Sequence, residues 1–485
     1  MPRTELPLEL LPAWLALNDV SLYDAKVSQI EGKGCGLVAD RNLSTAGGDT
    51  FDIPALLTVP HALVLNAEAV EEYAKEDRNF RQLLDAAGRQ SARGDILLFL
   101  LVQLFHSTSP RKNSVCVSNG WTEYVKFLPS SVPVPTLWTE EERALLRGTT
   151  LDSALNAKML ALTHEFDYIR EKSSSIPLWE ETLWESNDIH LTNWFLLDAW
   201  YRSRCLELPK SGESMVPCLD MANHSSEANA YYDENSRDEV VLLLRPQCSV
   251  SKGEELTIDY GAKKSPAEML FSYGIIEPLW TTERLTLPLE PFPDDPLGKA
   301  KLHVFDGPAT VVIKRADDGH MQWESPFAYI MCVNEEDGLE FKILQETDGT
   351  RHLKLFWQDA DVTESAGSFE SLIQSHPLHA VLKLRVVTVV QGRLQEQLEE
   401  MLSAPVPSSA SPSTALAPVR SSCVDAAALL RDMEAKSLES AVEMLEEQRL
   451  QLLSDESVVA YLGSMETAEN DLAGDEASNG DDDFS

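Results

Sequence analysis

The sequence predicts an α+β fold, in which a strand-rich domain is interrupted by helices and followed by a mainly α-helical domain. Two observations support this prediction. Short apolar runs bounded by Gly and Pro, typical of strands, occur before residue 62 and again after residue 215. Between them, apolar residues recur at the spacing of three and four that indicates helices. At 485 residues the chain is too long for one compact core, so two or three domains are expected.

The first part of the strand-rich domain is predicted to span residues 1–66. It begins with a helical pattern around LPLELLPAWLALND. IEGKGCGLVADRNL (30–43) follows as a glycine-rich turn that leads into an apolar strand, LVA. FDIPALLTVP (51–60) reads as another short strand that proline ends.

A helical insertion is predicted over residues 67–200. Within it, ARGDILLFLLVQLFHS is apolar nearly all round, which predicts a buried helix. A later helix has one apolar face, formed by Leu155, Met159, Leu162, Phe166 and Ile169.

Strands return over 201–281 in three runs, NAYYDE, EVVLLLRP and ELTIDYG. After the proline-rich LPLEPFPDDP, residues 282–460 are predicted to be mainly helical. In this part TDGT separates two alternating runs, EFKILQE and RHLKLFW, which suits a hairpin. A flexible Pro/Ser/Ala linker or loop is expected at 403–419. Residues 461–485 are predicted to be an acidic, disordered tail.

Charge and cysteine usage exclude several classes of function. A net charge of −39 disfavours nucleic-acid binding, because phosphate contacts need clustered Lys and Arg, and it favours a basic protein partner. The seven cysteines occur singly, without CxC or CxxC, so no metal cluster is expected. No apolar run could span a bilayer, and the N-terminus lacks the apolar segment of a secretion signal. We therefore expect an intracellular monomer, in the cytoplasm, the nucleus or both, without membrane contact.

The residues that indicate chemistry are concentrated between Asp220 and Tyr273. Asn223-His224 is followed by Tyr260-Gly261 and, thirteen residues later, by Tyr273-Gly274, with Asn223-His224 and Tyr260-Gly261 expected beside strands. Upstream are a GCG turn that begins at Gly34, and an arginine, Arg204, in RSR. Each of these features alone could also have a purely structural role, as a turn, a strand-end aromatic or a structural arginine.

In this order and at this spacing, these motifs resemble a SET domain, the methyl-transfer core of most protein-lysine methyltransferases. WTEYVKFLP (121–129) and PTLWTEEERALLRGT (135–149) also resemble the helical insertion of the Rubisco large-subunit methyltransferase subgroup. The resemblance implies a SET-domain β-fold with a helical insertion and a C-terminal substrate-binding domain. It also implies that S-adenosylmethionine is the cofactor, S-adenosylhomocysteine the product and a lysine of a non-histone protein, such as a ribosomal protein, the acceptor, with no metal.

The resemblance also implies roles for nine residues. Three groups hold the cofactor: the backbone of the loop, an arginine suited to a carboxylate, and the Asn-His pair. These residues are Lys33, Gly34, Cys35, Arg204, Asn223 and His224. Asp220 helps to shape the pocket for the target lysine. Tyr260 is the catalytic tyrosine, and Tyr273 is the second tyrosine of the catalytic pocket.

These roles suit the chemistry of methyl transfer to an amine. The amine must be neutral, yet roughly one lysine in 10³ to 10⁴ is neutral at pH 7. Burial beside a cationic sulfonium disfavours the ammonium form. Tyrosine hydroxyls and backbone carbonyls can then hold the amine in line with the methyl group.

Two departures from the family pattern and two alternative functions remain. Lys33 stands where many relatives carry an acidic residue, and Met221-Ala222 replaces the usual isoleucine-containing pair before Asn223. The same motifs also suit a protein-histidine methyltransferase on this scaffold. A non-catalytic interaction protein that retains the fold is the third hypothesis.

Overall fold

The computed structural model describes residues 5–45, 53–108, 115–185, 189–261, 263–277, 284–316, 318–345, 349–404 and 419–464. The α+β class is confirmed. The chain divides into two compact units: unit 1 contains residues 1–143 and 153–280, and unit 2 contains residues 144–152 and 281–485. The domain boundaries predicted at 66, 200 and 281 stay predictions. Residues 144–152, which the prediction assigned to the insertion, group with unit 2.

Unit 1 joins strands from both sides of the helical insertion. The strands are β1 (Ser21–Leu22), β2 (Ala25–Ile30), β3 (Gly34–Ala39), β4 (Leu43–Ser44), β5 (Ala55–Val59), β6 (Cys205–Leu208), β7 (Gly212–Met215), β8 (Ala230–Glu234), β9 (Val240–Leu244), β10 (Ser249–Val250) and β11 (Glu255–Leu256). Their sheets have the orders β1-β5-β9-β8, β11-β3-β2, β10-β4 and β6-β7. Early strands therefore pair with late strands, as in the antiparallel register of Leu57 with Leu242 and of Val38 with Glu255.

One predicted strand is shorter than expected. Of ELTIDYG, only Glu255 and Leu256 form a ladder, because Ile258 makes a single parallel bridge to His224 instead. This bridge brings the Asn-His segment beside the chain that leads to Tyr260.

The helices of unit 1 include the buried helix that the apolar run predicts. They are α1 (Leu11–Leu17), α2 (Ala67–Glu76), α3 (Arg78–Ala87), α4 (Ala92–Thr108), α5 (Gly120–Tyr124), α6 (Glu140–Arg143), α7 (Thr150–Ser173), α8 (Pro177–Trp179), a π-helix (Glu180–Glu185), α9 (Leu191–Arg204) and α10 (Pro266–Tyr273). Short 3₁₀ turns of this unit lie at Leu8–Leu10, His61–Leu63, Pro135–Leu137 and Leu219–Met221, whereas the turn at Ala144–Leu146 belongs to residues that group with unit 2. Helix α4 lies in the core with residues 96–102 fully enclosed, which confirms that prediction. Helix α7 starts in residues of unit 2 and continues into unit 1.

Unit 2 contains more strand than the prediction of a mainly helical domain suggests. Its strands are β12 (Arg284–Pro288), β13 (Thr310–Arg315), β14 (Met321–Glu324), β15 (Leu339–Gln345), β16 (Arg351–Trp357) and β17 (Ala360–Asp361). Its helices are α11 (Gly298–Val304), α12 (Pro326–Met331), α13 (Phe369–Ile373), α14 (His379–Ser403) and α15 (Ser421–Leu453), with 3₁₀ turns at Glu335–Asp337 and Thr363–Ser368. The β15–β16 hairpin is confirmed, with Gln345 opposite Arg351. Leu394 and Leu438 are buried in the core, to which α14 and α15 contribute.

Parts of two predictions lie outside the described residues. Residues 405–418 of the expected linker and residues 465–485 of the expected tail are among them. Residues 461–464 were predicted to be disordered but belong to a helical segment, 456–464. Within the described ranges, no helix is both long enough and apolar enough to span a bilayer.

Candidate active site

A cavity of about 650 Å³ in unit 1 is lined by all nine residues that the sequence singled out. They lie at the start of β3 and in the loop before it, at the end of α9, in the 3₁₀ turn at Leu219–Met221 and just after it, and at both ends of the segment 260–273. Residues 126–133 of the insertion complete the wall. The volume lies within the range of small-molecule and cofactor sites.

The glycine-rich loop closes the β2–β3 hairpin at one side of the cavity. Gly34 has a φ of +82°, a left-handed conformation that favours glycine. The Lys33 N–H donates to the Ile30 carbonyl at 3.1 Å, so this N–H is engaged in the turn. Of the two backbone groups of Lys33, the carbonyl is therefore the one left for the expected contact with a cofactor.

Asn223 is held by a residue that the sequence analysis missed. Its Nδ2 donates to Glu255 Oε1 at 2.7 Å and to the Cys35 carbonyl at 3.3 Å. Glu255 Oε2 accepts from Lys33 Nζ at 2.8 Å. The only sequence signal for Glu255 is its position in the ELTIDYG run, one residue before the inward-facing Leu256.

Half-buried Arg204 and buried Asp220 form an ion pair beside this loop. Arg204 donates through one terminal nitrogen to the Asp220 carbonyl at 2.8 Å and to Asp220 Oδ2 at 3.2 Å. Tyr124, from α5 in the insertion, donates to Asp220 Oδ1 at 2.5 Å. Burial raises the pKa of the Asp220 carboxyl, while the Arg204 charge and the Tyr124 hydroxyl oppose that rise. Tyr124 is a second residue that the sequence analysis missed.

Tyr260 and Tyr273 pack against each other at the other side of the cavity, with their ring planes tilted by 34°. Their ring centroids are 4.5 Å apart, and the Tyr273 hydroxyl donates to the Tyr260 carbonyl at 3.4 Å. The Tyr260 hydroxyl donates to the Ala222 carbonyl at 2.7 Å. Tyr273 is not a strand-end aromatic, which was the alternative interpretation. It is the last residue of α10, because Gly274 ends that helix with a φ of +75°.

Burial disfavours the ionised forms of Tyr260, Tyr273 and His224. It raises the pKa of Tyr260 well above its usual value and the pKa of Tyr273 to about 12. It lowers the pKa of His224, whose Nδ1 accepts from the Tyr260 N–H at 3.1 Å. At neutral pH the two tyrosines therefore act as hydroxyl groups, and the neutral His224 carries its proton on Nε2.

The arrangement fits a ligand that carries a carboxylate and an amine. Arg204 Nε is buried, and no described residue accepts its hydrogen. A guanidinium with an unused donor in a cavity wall suits a carboxylate. S-adenosylmethionine has such a carboxylate at its amino-acid end. In the part of the chain that the structure describes, no group of three or more His, Cys, Asp or Glu could hold a metal ion.

Comparisons with known proteins agree with this geometry. The family model of the SET domain matches residues 34–261. SET domain-containing protein 8 of Schizosaccharomyces pombe is 28% identical over 372 residues, covering 75% of this chain and 80% of that protein. The chloroplastic Rubisco large subunit N-methyltransferase of Nicotiana tabacum is 26% identical over 301 residues, covering 60% of this chain and 55% of that enzyme.

A solved structure shares the fold over nearly the whole chain. The SET domain of LSMT bound to lysine and AdoHcy superposes with a TM-score of 0.66 at 20% identity, covering 92% of both chains. The family match, the relatives and the shared fold agree with the motifs in the cavity. Residues 34–261 therefore match the SET domain, and the chain is similar in sequence and in fold to the Rubisco large-subunit methyltransferase type.

Proposed function

We propose that this protein transfers methyl groups from S-adenosylmethionine to a lysine side chain of a basic, non-histone protein in the cytoplasm or the nucleus. The observation that carries the proposal is the convergence of all nine predicted residues on one cavity. They come from segments as distant in sequence as Lys33 and Tyr273, so chance clustering is a poor explanation. The class of acceptor protein is inferred from the names of similar proteins and from the net charge of this chain.

The cofactor side of the cavity supplies complementary polar groups. When bound, S-adenosylmethionine supplies an electrophilic methyl group on a sulfonium. The donor of Arg204 suits its carboxylate, and the amide of Asn223 suits its amine. Because Asp220 already takes one terminal nitrogen of Arg204, the guanidinium is fixed in direction before any ligand binds.

The tyrosines hold the acceptor and do not remove its proton. With the pKa of both hydroxyls raised, neither is a phenolate at neutral pH, so neither is a general base. The lysine ammonium loses its proton to water, and the neutral amine enters the cavity. The hydroxyl of Tyr260 and the paired rings then restrict its lone pair to one direction.

The acceptor class is inferred from relatives and charge. The similar proteins include a fructose-bisphosphate aldolase-lysine methyltransferase of Arabidopsis thaliana, a ribosomal lysine methyltransferase of Schizosaccharomyces pombe and a cytochrome c lysine methyltransferase of Saccharomyces cerevisiae. None of these names refers to a histone. The net charge of −39 favours a basic acceptor such as a ribosomal protein.

Identification of the modified peptide tests this proposal. Purified protein is incubated with isotopically labelled S-adenosylmethionine and a cell extract, and labelled peptides are identified by mass spectrometry. We expect labelled methyl-lysine in a basic non-histone protein. Label confined to histidine would support the alternative acceptor, and label confined to histone lysines would contradict the proposed substrate class.

A further inference from the structure

Glu255 connects two sides of the glycine-rich loop. One oxygen of its carboxylate accepts from Asn223, at 2.7 Å, and the other accepts from Lys33, at 2.8 Å. Strand pairing fixes its backbone, since Glu255 lies opposite Val38 and its carbonyl accepts from Asn229 at 2.8 Å. The strand pairing therefore positions the Glu255 carboxylate beside Asn223.

Gly36 provides the space for this contact. A Cβ at Gly36 would lie 2.9 Å from Asn223 Nδ2 and 3.0 Å from Glu255 Oε1, and 2.7 Å from Ile30 Cγ1. Any larger residue would push the amide and the carboxylate apart. A glycine is therefore required at the second glycine of the GCG turn, Gly36, for steric reasons and not because of a positive φ.

These contacts determine which end of the Asn223 amide faces the cavity. An asparagine amide has two hydrogens on nitrogen and an acceptor oxygen. Glu255 and the Cys35 carbonyl take both hydrogens, so the oxygen remains for a ligand. An exposed carbonyl oxygen selects an N–H donor, such as the amine of the cofactor, and discriminates against a second acceptor.

Lys33 holds the second oxygen of Glu255. Its side chain is 48% exposed, so the ion pair alone contributes little. Its effect is on orientation: with Oε2 engaged, Oε1 is directed to Asn223. Its charge also balances that of Glu255 near a ligand that carries a carboxylate.

We propose that Glu255, supported by Lys33, is a positioning residue that fixes the Asn223 amide with its oxygen towards the amine of the methyl donor. The inference rests on the proposed function. It predicts that Glu255 affects only ligands that carry the amino-acid end. The matched pair of ligands is S-adenosylhomocysteine, which has that end, and 5′-methylthioadenosine, which lacks it.

The experiment measures both dissociation constants on the full chain, by calorimetry for S-adenosylhomocysteine and by displacement for 5′-methylthioadenosine. Glu255→Ala is expected to weaken S-adenosylhomocysteine binding about tenfold and to leave 5′-methylthioadenosine unchanged. Glu255→Gln, which keeps an acceptor oxygen, should recover part of the loss. Lys33→Met should weaken S-adenosylhomocysteine binding about twofold to threefold. The control is Glu254→Ala, since Glu254 is exposed and bonds to Ser251 away from the cavity.

Three outcomes would overturn the inference. If Glu255→Ala binds S-adenosylhomocysteine as tightly as the unaltered chain, Glu255 has no positioning role. If both ligands weaken by the same factor, Glu255 is only structural. If the unaltered chain binds neither ligand, the proposed function fails, and the inference fails with it.

Discussion

The Tyr124 hydroxyl donates a hydrogen bond of 2.5 Å to the carboxylate of Asp220, ninety-six residues further along the chain. The same hydroxyl accepts from the Cys218 N–H at 2.8 Å. Tyr124 belongs to the helical insertion, whereas Asp220 pairs with Arg204 in the cavity wall. The insertion therefore supports the active site directly, because it supplies the second partner of its buried carboxylate.

Removal of this hydroxyl should destabilise unit 1. Tyr124→Phe leaves the buried Asp220 carboxylate with Arg204 as its remaining side-chain partner, and the Cys218 N–H loses its acceptor. We expect the free energy of unfolding in urea to fall by about 1–3 kcal/mol. Tyr23→Phe is the control, since Tyr23 is 50% exposed, and it should change stability by less than about 0.5 kcal/mol. Equal stabilities of the two variants would contradict this role of Tyr124.

Local patterns in the sequence predict most elements of the fold but few of the contacts that shape the cavity. The apolar runs of β5 and β9 and the apolar α4 follow from residue spacing alone. The position of Tyr273 at the end of a helix was missed, since an apolar MLFSYG run suits either kind of element. Lys33 and Glu255 are 222 residues apart, and no local pattern encodes their contact. The nine predicted residues were found through a family resemblance, which carries information about distant positions that periodicity lacks.

The pH dependence of turnover should follow the ionisation of the acceptor lysine. Because the pKa of Tyr273 is raised to about 12 and that of Tyr260 is raised as well, both hydroxyls keep their protons as the pH rises through 9. The fraction of neutral amine grows about tenfold per pH unit below the lysine pKa. We expect kcat/KM to rise with that slope from pH 7 to 9. A fall with a midpoint below pH 10 that disappears in Tyr273→Phe would show that a tyrosine ionises and would contradict this account.

Gly36→Ala should disrupt the site through sterics. Its Cβ would meet Ile30 Cγ1 at 2.7 Å and Asn223 Nδ2 at 2.9 Å, so the amide must move. We expect a stability loss of about 1–3 kcal/mol and weaker binding of S-adenosylhomocysteine. Gly367→Ala is the control, because a Cβ there meets no described atom within 4 Å. Unchanged binding in Gly36→Ala would show that the space beneath Asn223 is not needed.

Glu434 should make unit 2 less stable as the pH rises. Its carboxylate accepts from the Thr150 N–H at 2.9 Å, and burial raises its pKa from 4.5 to about 7. The folded chain therefore binds this proton more tightly than the unfolded chain, so its stability declines between pH 4.5 and pH 7. Glu434→Gln mimics the protonated form. It should raise the free energy of unfolding by about 1–3 kcal/mol at pH 8 and change it little at pH 4.

The control for this prediction is Glu439→Gln, on the exposed side of the same helix. It should have the same small effect at both pH values. If Glu434→Gln also behaves identically at pH 4 and pH 8, the buried carboxylate does not contribute to the pH dependence.

The transfer of labelled methyl groups by the purified protein tests the central claim most directly. With labelled S-adenosylmethionine and cell extract, the unaltered chain should label a discrete protein. Tyr260→Phe, which removes the hydroxyl that donates to Ala222, should reduce the rate by about 10² or more, whereas Tyr23→Phe should leave it unchanged. The absence of label with the unaltered chain, or a labelled band that Tyr260→Phe produces at the same rate, would contradict the account.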